Sequence, residues 1–217
     1  MEIDQLIQTV ALAAIPVLFA ITLHEAAHGY VARHFGDMTA YQAGRISLNP
    51  LRHIDPVGTL LLPLLTLWMG GILFGWAKPV PVDFSALRHP KRDMLWVAAA
   101  GPCANLLMAV AWASALKFAL IMPHGAFTLP LSLMAEAGIT VNLVLMVLNL
   151  LPILPLDGGR IAVSLLPDRL AYSYSRLEPY GFPILLLLLF TKTLGIILNP
   201  AVLLSMQLIE SIFQIQL

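Results

Sequence analysis

The amino-acid sequence predicts an all-α membrane protein, a polytopic helical bundle of about five to six transmembrane segments. Composition and apolar patterning both lead there. Of 217 residues, 59% are hydrophobic and 11% are charged, against roughly 25% charged in an ordinary soluble domain. Mean hydropathy is +0.85, and the apolar residues fall in runs, several near the roughly 20 residues that cross a bilayer's hydrocarbon. Twelve Lys+Arg balance twelve Asp+Glu. The balance argues against a basic surface that reads phosphates, so no nucleic-acid partner is expected. The composition also argues against a soluble globular domain and a disordered chain. The one cysteine, Cys103, excludes an intramolecular disulfide and a multi-cysteine metal site, and reads as a small packing residue.

Six apolar segments follow in order. Leu6–Leu23 runs directly into a polar cluster at His24. Val57–Leu73 is the second, Met94–Met122 the third and Pro130–Leu154 the fourth. Phe182–Leu198 is Leu-rich, and Ala201–Phe213 is short enough to be a span or an interfacial helix. No fixed-period repeat and no long polar insertion interrupts them, so residues 1–217 read as one membrane domain. Its core covers about residues 6–160 and its C-terminal helices about 181–217. The acidic start, Met-Glu-Ile-Asp-Gln, lacks the positive region of a secretory signal, so the first segment reads as a retained helix.

Basic residues orient the segments. Arg33, Arg45, Arg52, Lys78, Arg88, Lys91, Arg92, Arg160, Arg169 and Arg176 are ten of the twelve, and they cluster in alternate connections. This puts the N-terminus outside and the ends of segments one and four on the cytoplasmic side. Both flanks of Val57–Leu73 are basic, which suits a re-entrant hairpin turning near Gly70-Gly71, or a helix lying in the cytoplasmic half of the protein, better than a full crossing. Trp68, Trp76 and Trp96 suit interfacial anchoring, and Trp112 suits packing between helices.

The chemistry concentrates in His24-Glu-Ala-Ala-His28. Residues four apart share a helix face, so two imidazoles there can hold one metal ion, with Glu25 poised beside a water at that ion. Composition alone yields such a match with a chance of about 0.4%. The cluster also continues an apolar run, where ionisable groups are costly and usually functional. A catalytic zinc takes three protein ligands and leaves a fourth position open. Asp157 stands out as the third, because it ends the fourth segment at matching depth. It follows Pro152 and Pro155 and precedes the flexible Gly158-Gly159. His34, His53, His89 and His124 lack comparable spacing and read as loop or interface residues. Lys117 and Glu136 read as snorkelling or paired groups.

His24-Glu-Ala-Ala-His28, Gly101-Pro-Cys-Ala-Asn105 and Asn149-Leu-Leu-Pro-Ile-Leu-Pro-Leu-Asp157-Gly158 together resemble the site-2 protease family of intramembrane zinc metalloproteases. Gly44-Arg-Ile-Ser-Leu-Asn-Pro and Phe74-Gly-Trp-Ala-Lys-Pro-Val-Pro-Val look like its compact prokaryotic branch, without PDZ or CBS domains. The resemblance implies one Zn2+ held by His24, His28 and Asp157, and Glu25 as general base. It also implies that Asn105 and Asn149 hold the substrate chain or the oxyanion.

The expected function is therefore zinc-dependent hydrolysis of transmembrane or membrane-proximal peptides, in a prokaryotic inner membrane with the site toward the cytoplasm. The partners are such peptides and the lipid bilayer; the oligomeric state is left open. A transporter or ion pathway using the same His, Glu and Asp as a proton relay is the alternative, although it leaves the H-E-x-x-H spacing unexplained. Gly44–Asn49 and Ala77–Asp83 read as short extended segments, a small β-hairpin or membrane-embedded strands beside the zinc helix. Pro79 and Pro81 suit an edge strand to which a substrate could add.

Overall fold

A computed structural model of the chain describes residues 3–61, 78–123 and 125–217. Helix α1 (Ile3–His34) is followed by the short α2 (Thr39–Gln42). Next come α3 (Pro90–Ile121) and α4 (Thr128–Asn149). The shorter α5 (Asp157–Leu165) and α6 (Asp168–Ser175) precede α7 (Glu178–Phe190) and α8 (Thr193–Phe213). Four stretches among the described residues are long and apolar enough to cross a membrane: Leu12–His34, Pro90–Ile121, Thr128–Asn149 and Thr193–Phe213. The chain is an integral membrane protein.

Local chemistry sets the helix ends. Arg33 and His34 occupy the last turn of α1, where positive charge complements the helix dipole. The helix then stops at Gly36, whose φ of +109° a side chain rarely adopts. Pro90 opens α3 at a position that needs no backbone donor. Buried Asp93 on its first turn accepts the His89 amide at 2.8 Å.

α3 packs most extensively on α4, and α1 lies against both. Ala109, Ala113, Leu116, Ala135, Ile139 and Leu143 form the contact between α3 and α4, with Ile209 of α8 joining them. Trp112 lies over Gly138, as its sequence context predicts; a Cβ there would come within 2.4 Å of the indole. Trp96 is exposed, as suits an outward-facing anchor. Cys103 differs from expectation, because its position on α3 is exposed rather than packed.

The last two apolar segments divide differently from the sequence reading. The break falls at Thr191-Lys192 rather than near Asn199-Pro200. Lys192 takes a left-handed conformation, and α8 continues through Pro200 to Phe213. Thr191, Lys192 and Thr193 are the polar interruption in that run. Thr191 Oγ1 takes up the Leu187 carbonyl at 2.8 Å, satisfying a backbone group at the helix end. Helix α7 has 13 residues and is short for a crossing.

No β-strand occurs among the described residues. Residues 78–83 form no regular element: Pro79 and Pro81 have no amide proton, and Val80 N donates to the Glu25 side chain instead of a ladder. The segment is tied at both ends. Lys78 N donates to the His53 carbonyl at 2.9 Å, Arg45 reaches the Lys78 carbonyl at 2.9 Å, and Asp83 N donates to buried Asp37 at 2.8 Å. Most of Val57–Leu73, with Gly70-Gly71, Trp68 and Trp76, lies outside the described residues, as does His124. The part described, Pro56–Leu61, is a single π-helical turn.

Gly181 allows α7 to seat against the connection between α4 and α5. A Cβ at Gly181 would fall 1.5 Å from the Leu154 carbonyl oxygen. Gly181→Ala is expected to destabilise the protein by about 1–3 kcal/mol through overpacking, read as a lower Tm in detergent. An unchanged Tm would show that α7 is not seated there.

Candidate metal centre

His24 and His28 stand one turn apart on α1, both buried, within the stretch Leu12–His34. Asp157 opens α5, beyond a tight turn through Leu150–Leu156. That turn is closed by Ile153 N to the Leu151 carbonyl at 2.8 Å and Leu156 N to the Ile153 carbonyl at 2.9 Å. Gly158 and Gly159 let α5 begin against the turn. A Cβ on Gly158 would sit 2.3 Å from the Leu150 carbonyl oxygen, and one on Gly159 2.6 Å from Leu154 N. The Arg160–Glu178 ion pair joins the first turns of α5 and α7.

The three side chains converge. The two Nε2 atoms are 3.1 Å apart, and each lies 3.3 Å from an Asp157 carboxylate oxygen. Ligands about 2.0–2.1 Å from a tetrahedral zinc are separated by roughly 3.3–3.4 Å, so the spacing suits one small ion. Among the described residues, this is the one cluster of His, Cys, Asp and Glu able to hold a metal. His34 and His89 are exposed and lie outside it. His53 is buried, with Nε2 2.9 Å from the Ser47 carbonyl.

The donor chemistry also fits a cation. His28 Nδ1 lies 2.7 Å from the Val97 carbonyl, which can only accept, so Nδ1 carries the proton and a neutral ring presents a bare Nε2. Asp157 brings a carboxyl group to the pair, with one oxygen facing each Nε2. Asp157 Oδ2 is buried without a hydrogen-bond donor, an orphan that a metal ion satisfies. Gly101 of α3 completes the cradle. A Cβ there would lie 2.4 Å from His28 Nε2 and 2.6 Å from His24 Nε2, on the side where the nitrogens face Asp157.

Glu25 is half-buried beside the cluster, and its Oε2 accepts the Val80 amide at 2.7 Å. Asn149 lies at the end of α4, half-buried, with Nδ2 donating to the Leu145 carbonyl at 3.0 Å. Asn105 is fully buried behind His24. Sequence reading did not single out Asn142 or Asp37, because each acts through contacts distant along the chain. Gly101 entered only as the first residue of the Gly101-Pro-Cys-Ala-Asn105 motif, with no chemical role assigned.

An apolar helical bundle carrying a buried His–His–Asp donor set with a glutamate beside it defines an integral membrane metalloprotein. Three relatives give it a family. The chain is 39% identical over 188 residues to "Putative zinc metalloprotease YwhC" of Bacillus subtilis, covering 83% of this chain and 80% of that one. It is 32% identical to "Putative zinc metalloprotease Rip2" of Mycolicibacterium smegmatis, over 82% of this chain and 66% of the relative. The protein of the same name in Mycobacterium tuberculosis is 34% identical over 65% of this chain and 52% of its own length. No family model and no solved structure matches. The chain belongs to the site-2 protease family of zinc metalloproteases, and zinc is its metal.

Stripping the protein with a chelator should lower its Tm, and zinc at 100 times Kd should restore about 2.7 kcal/mol. His24→Ala should lose that response. A Tm indifferent to zinc in the unmutated protein would count against a buried metal centre.

Proposed function

We propose that this protein is an intramembrane zinc endopeptidase that hydrolyses transmembrane or membrane-proximal peptide segments. The observation that carries the reading is the meeting of His24, His28 and Asp157 within a bundle of apolar helices, with Glu25 beside them. The relatives' names support a metalloprotease and lend nothing to a transporter.

Bound zinc supplies a water of lowered pKa and polarises the scissile carbonyl. The chain's own residues do the rest. Glu25 accepts the water proton and delivers it to the leaving amide nitrogen. The Val80 amide holds Oε2, which leaves Oε1 to carry the proton. We assign Asn149 to the substrate chain or the oxyanion. Asn105 is fully buried with Oδ1 at His24 Nδ1, which favours a role at that ring over one at substrate. The distribution of basic residues favours an N-terminus outside and a site toward the cytoplasmic face of a prokaryotic inner membrane.

A helical substrate must expose its peptide bonds before cleavage. Arg45 links its stretch to the 78–83 segment through the Lys78 and Pro79 carbonyls, and backbone of these two stretches is where an unwound substrate would add. Comparative membrane proteomics of cells carrying the active protein or Glu25→Gln tests the activity. Membrane-protein fragments that depend on Glu25 are expected. If none appear while soluble fragments do, the intramembrane assignment fails.

A further inference from the structure

We propose that Asn105 and Asn142 are positioning residues, which together fix the tautomer and aim of His24 rather than touching substrate. The inference rests on His24, His28 and Asp157 holding zinc, and not on what the enzyme cleaves. Both asparagines are completely buried, on α3 and α4 respectively.

The orientation of each amide follows from a backbone carbonyl that can only accept. Asn142 Nδ2 donates to the Gly138 carbonyl at 2.8 Å, so its Oδ1 faces the other way. That oxygen accepts Asn105 Nδ2 at 2.9 Å. The same Nδ2 lies 3.3 Å from the Ala20 carbonyl on α1, a second acceptor on the same side. Asn105 Oδ1 must therefore face His24, where it lies 2.6 Å from Nδ1. An amide oxygen there requires Nδ1–H. The neutral imidazole then has a bare Nε2 directed at Asp157 and the metal position.

Donation thus runs in one direction, from His24 Nδ1 through two amides to the α4 backbone, and leaves Nε2 free for the metal. For His28 the Val97 carbonyl does the same work in one step. His24 lies one turn earlier on α1 and has a side-chain amide where His28 has a carbonyl, so its support depends on side chains that mutation can remove. Partners of this kind set the tautomer of a metal-binding imidazole, and losing one typically costs 10–100-fold in metal affinity or activity.

The test is zinc affinity in chelator-stripped, purified full-length protein, with the Co2+ absorption spectrum as a second readout. Asn105→Leu is expected to lower zinc affinity by about 10–100-fold and to shift the Co2+ bands. Asn105→Asp keeps an acceptor opposite Nδ1 but loses the donor to Asn142, and should retain clearly more zinc affinity than Asn105→Leu. Wild-type affinity and spectrum in folded Asn105→Leu would overturn the proposal. So would equal losses in both variants, the pattern of a residue that only fills space. A wild-type protein that binds no zinc would instead remove the metal centre on which the proposal depends. If neither variant folds, nitrogen-15 NMR of the wild-type zinc protein decides. Ligation of His24 through Nε2 with a protonated Nδ1 supports the relay, and ligation through Nδ1 overturns it.

Discussion

Glu25→Gln is expected to leave zinc bound at near wild-type affinity while lowering peptide cleavage by about 10²–10⁴-fold, the range that general acid–base groups contribute. The side chain is not among the three converging ligands, so its replacement leaves the donor set intact. Glutamine is close to isosteric, and its amide oxygen can still accept the Val80 amide that Glu25 now holds at 2.7 Å. The 78–83 segment should therefore stay in place. What is lost is a group that can take and return a proton. Zinc content and cleavage must be measured on the same purified sample. Loss of zinc along with activity would make Glu25 a ligand, and normal cleavage would remove it from the chemistry.

Gly101→Ala should have the opposite signature, with metal binding lost first. The new methyl group would sit 2.4 Å from His28 Nε2 and 2.5 Å from His24 Cε1, far inside van der Waals contact. The neighbours cannot easily yield. His28 is anchored to the Val97 carbonyl and His24 to Asn105, on the same helix that carries Gly101. One or both rings must rotate away from Asp157. A loss of at least about 100-fold in zinc affinity is expected, the upper end for disturbed support of a metal ligand. Gly195→Ala is the control, because a Cβ there meets nothing within 4 Å. That change should leave zinc binding unaltered and be neutral to slightly stabilising, as Ala replaces Gly in a helix. Equal zinc affinities in the two variants would show that Gly101 does not line the metal position.

Some of this was readable along the chain. The pattern in His24, Glu25 and His28 is local, since a helix places residues four apart on one face whatever surrounds it. Asp157 was reachable because few ionisable residues end an apolar segment at the right depth. Asn105 appeared as a motif residue but with a role at substrate, because sequence does not reveal which way a buried amide faces. Asn142 carried no signal: one polar residue within α4 looks like any interhelical contact until Asn105 lies opposite. The C-terminal segments were divided between Leu198 and Ala201. Yet Thr191 and Lys192 end α7, and α8 runs through Pro200.

The sequence by itself determined the membrane class, and it pointed to His24, His28 and Asp157 as the proposed ligands. These depend on composition and short-range helical periodicity, which act within a few turns. The tertiary structure decided the hydrogen-bond partners of His24 and His28, the clearance at Gly101 and the anchoring of Glu25 by Val80. Each of these depends on contacts across helices distant along the chain. Their physical basis is the direction of a hydrogen bond or the room for one methyl group, and neither exists until the helices are packed together.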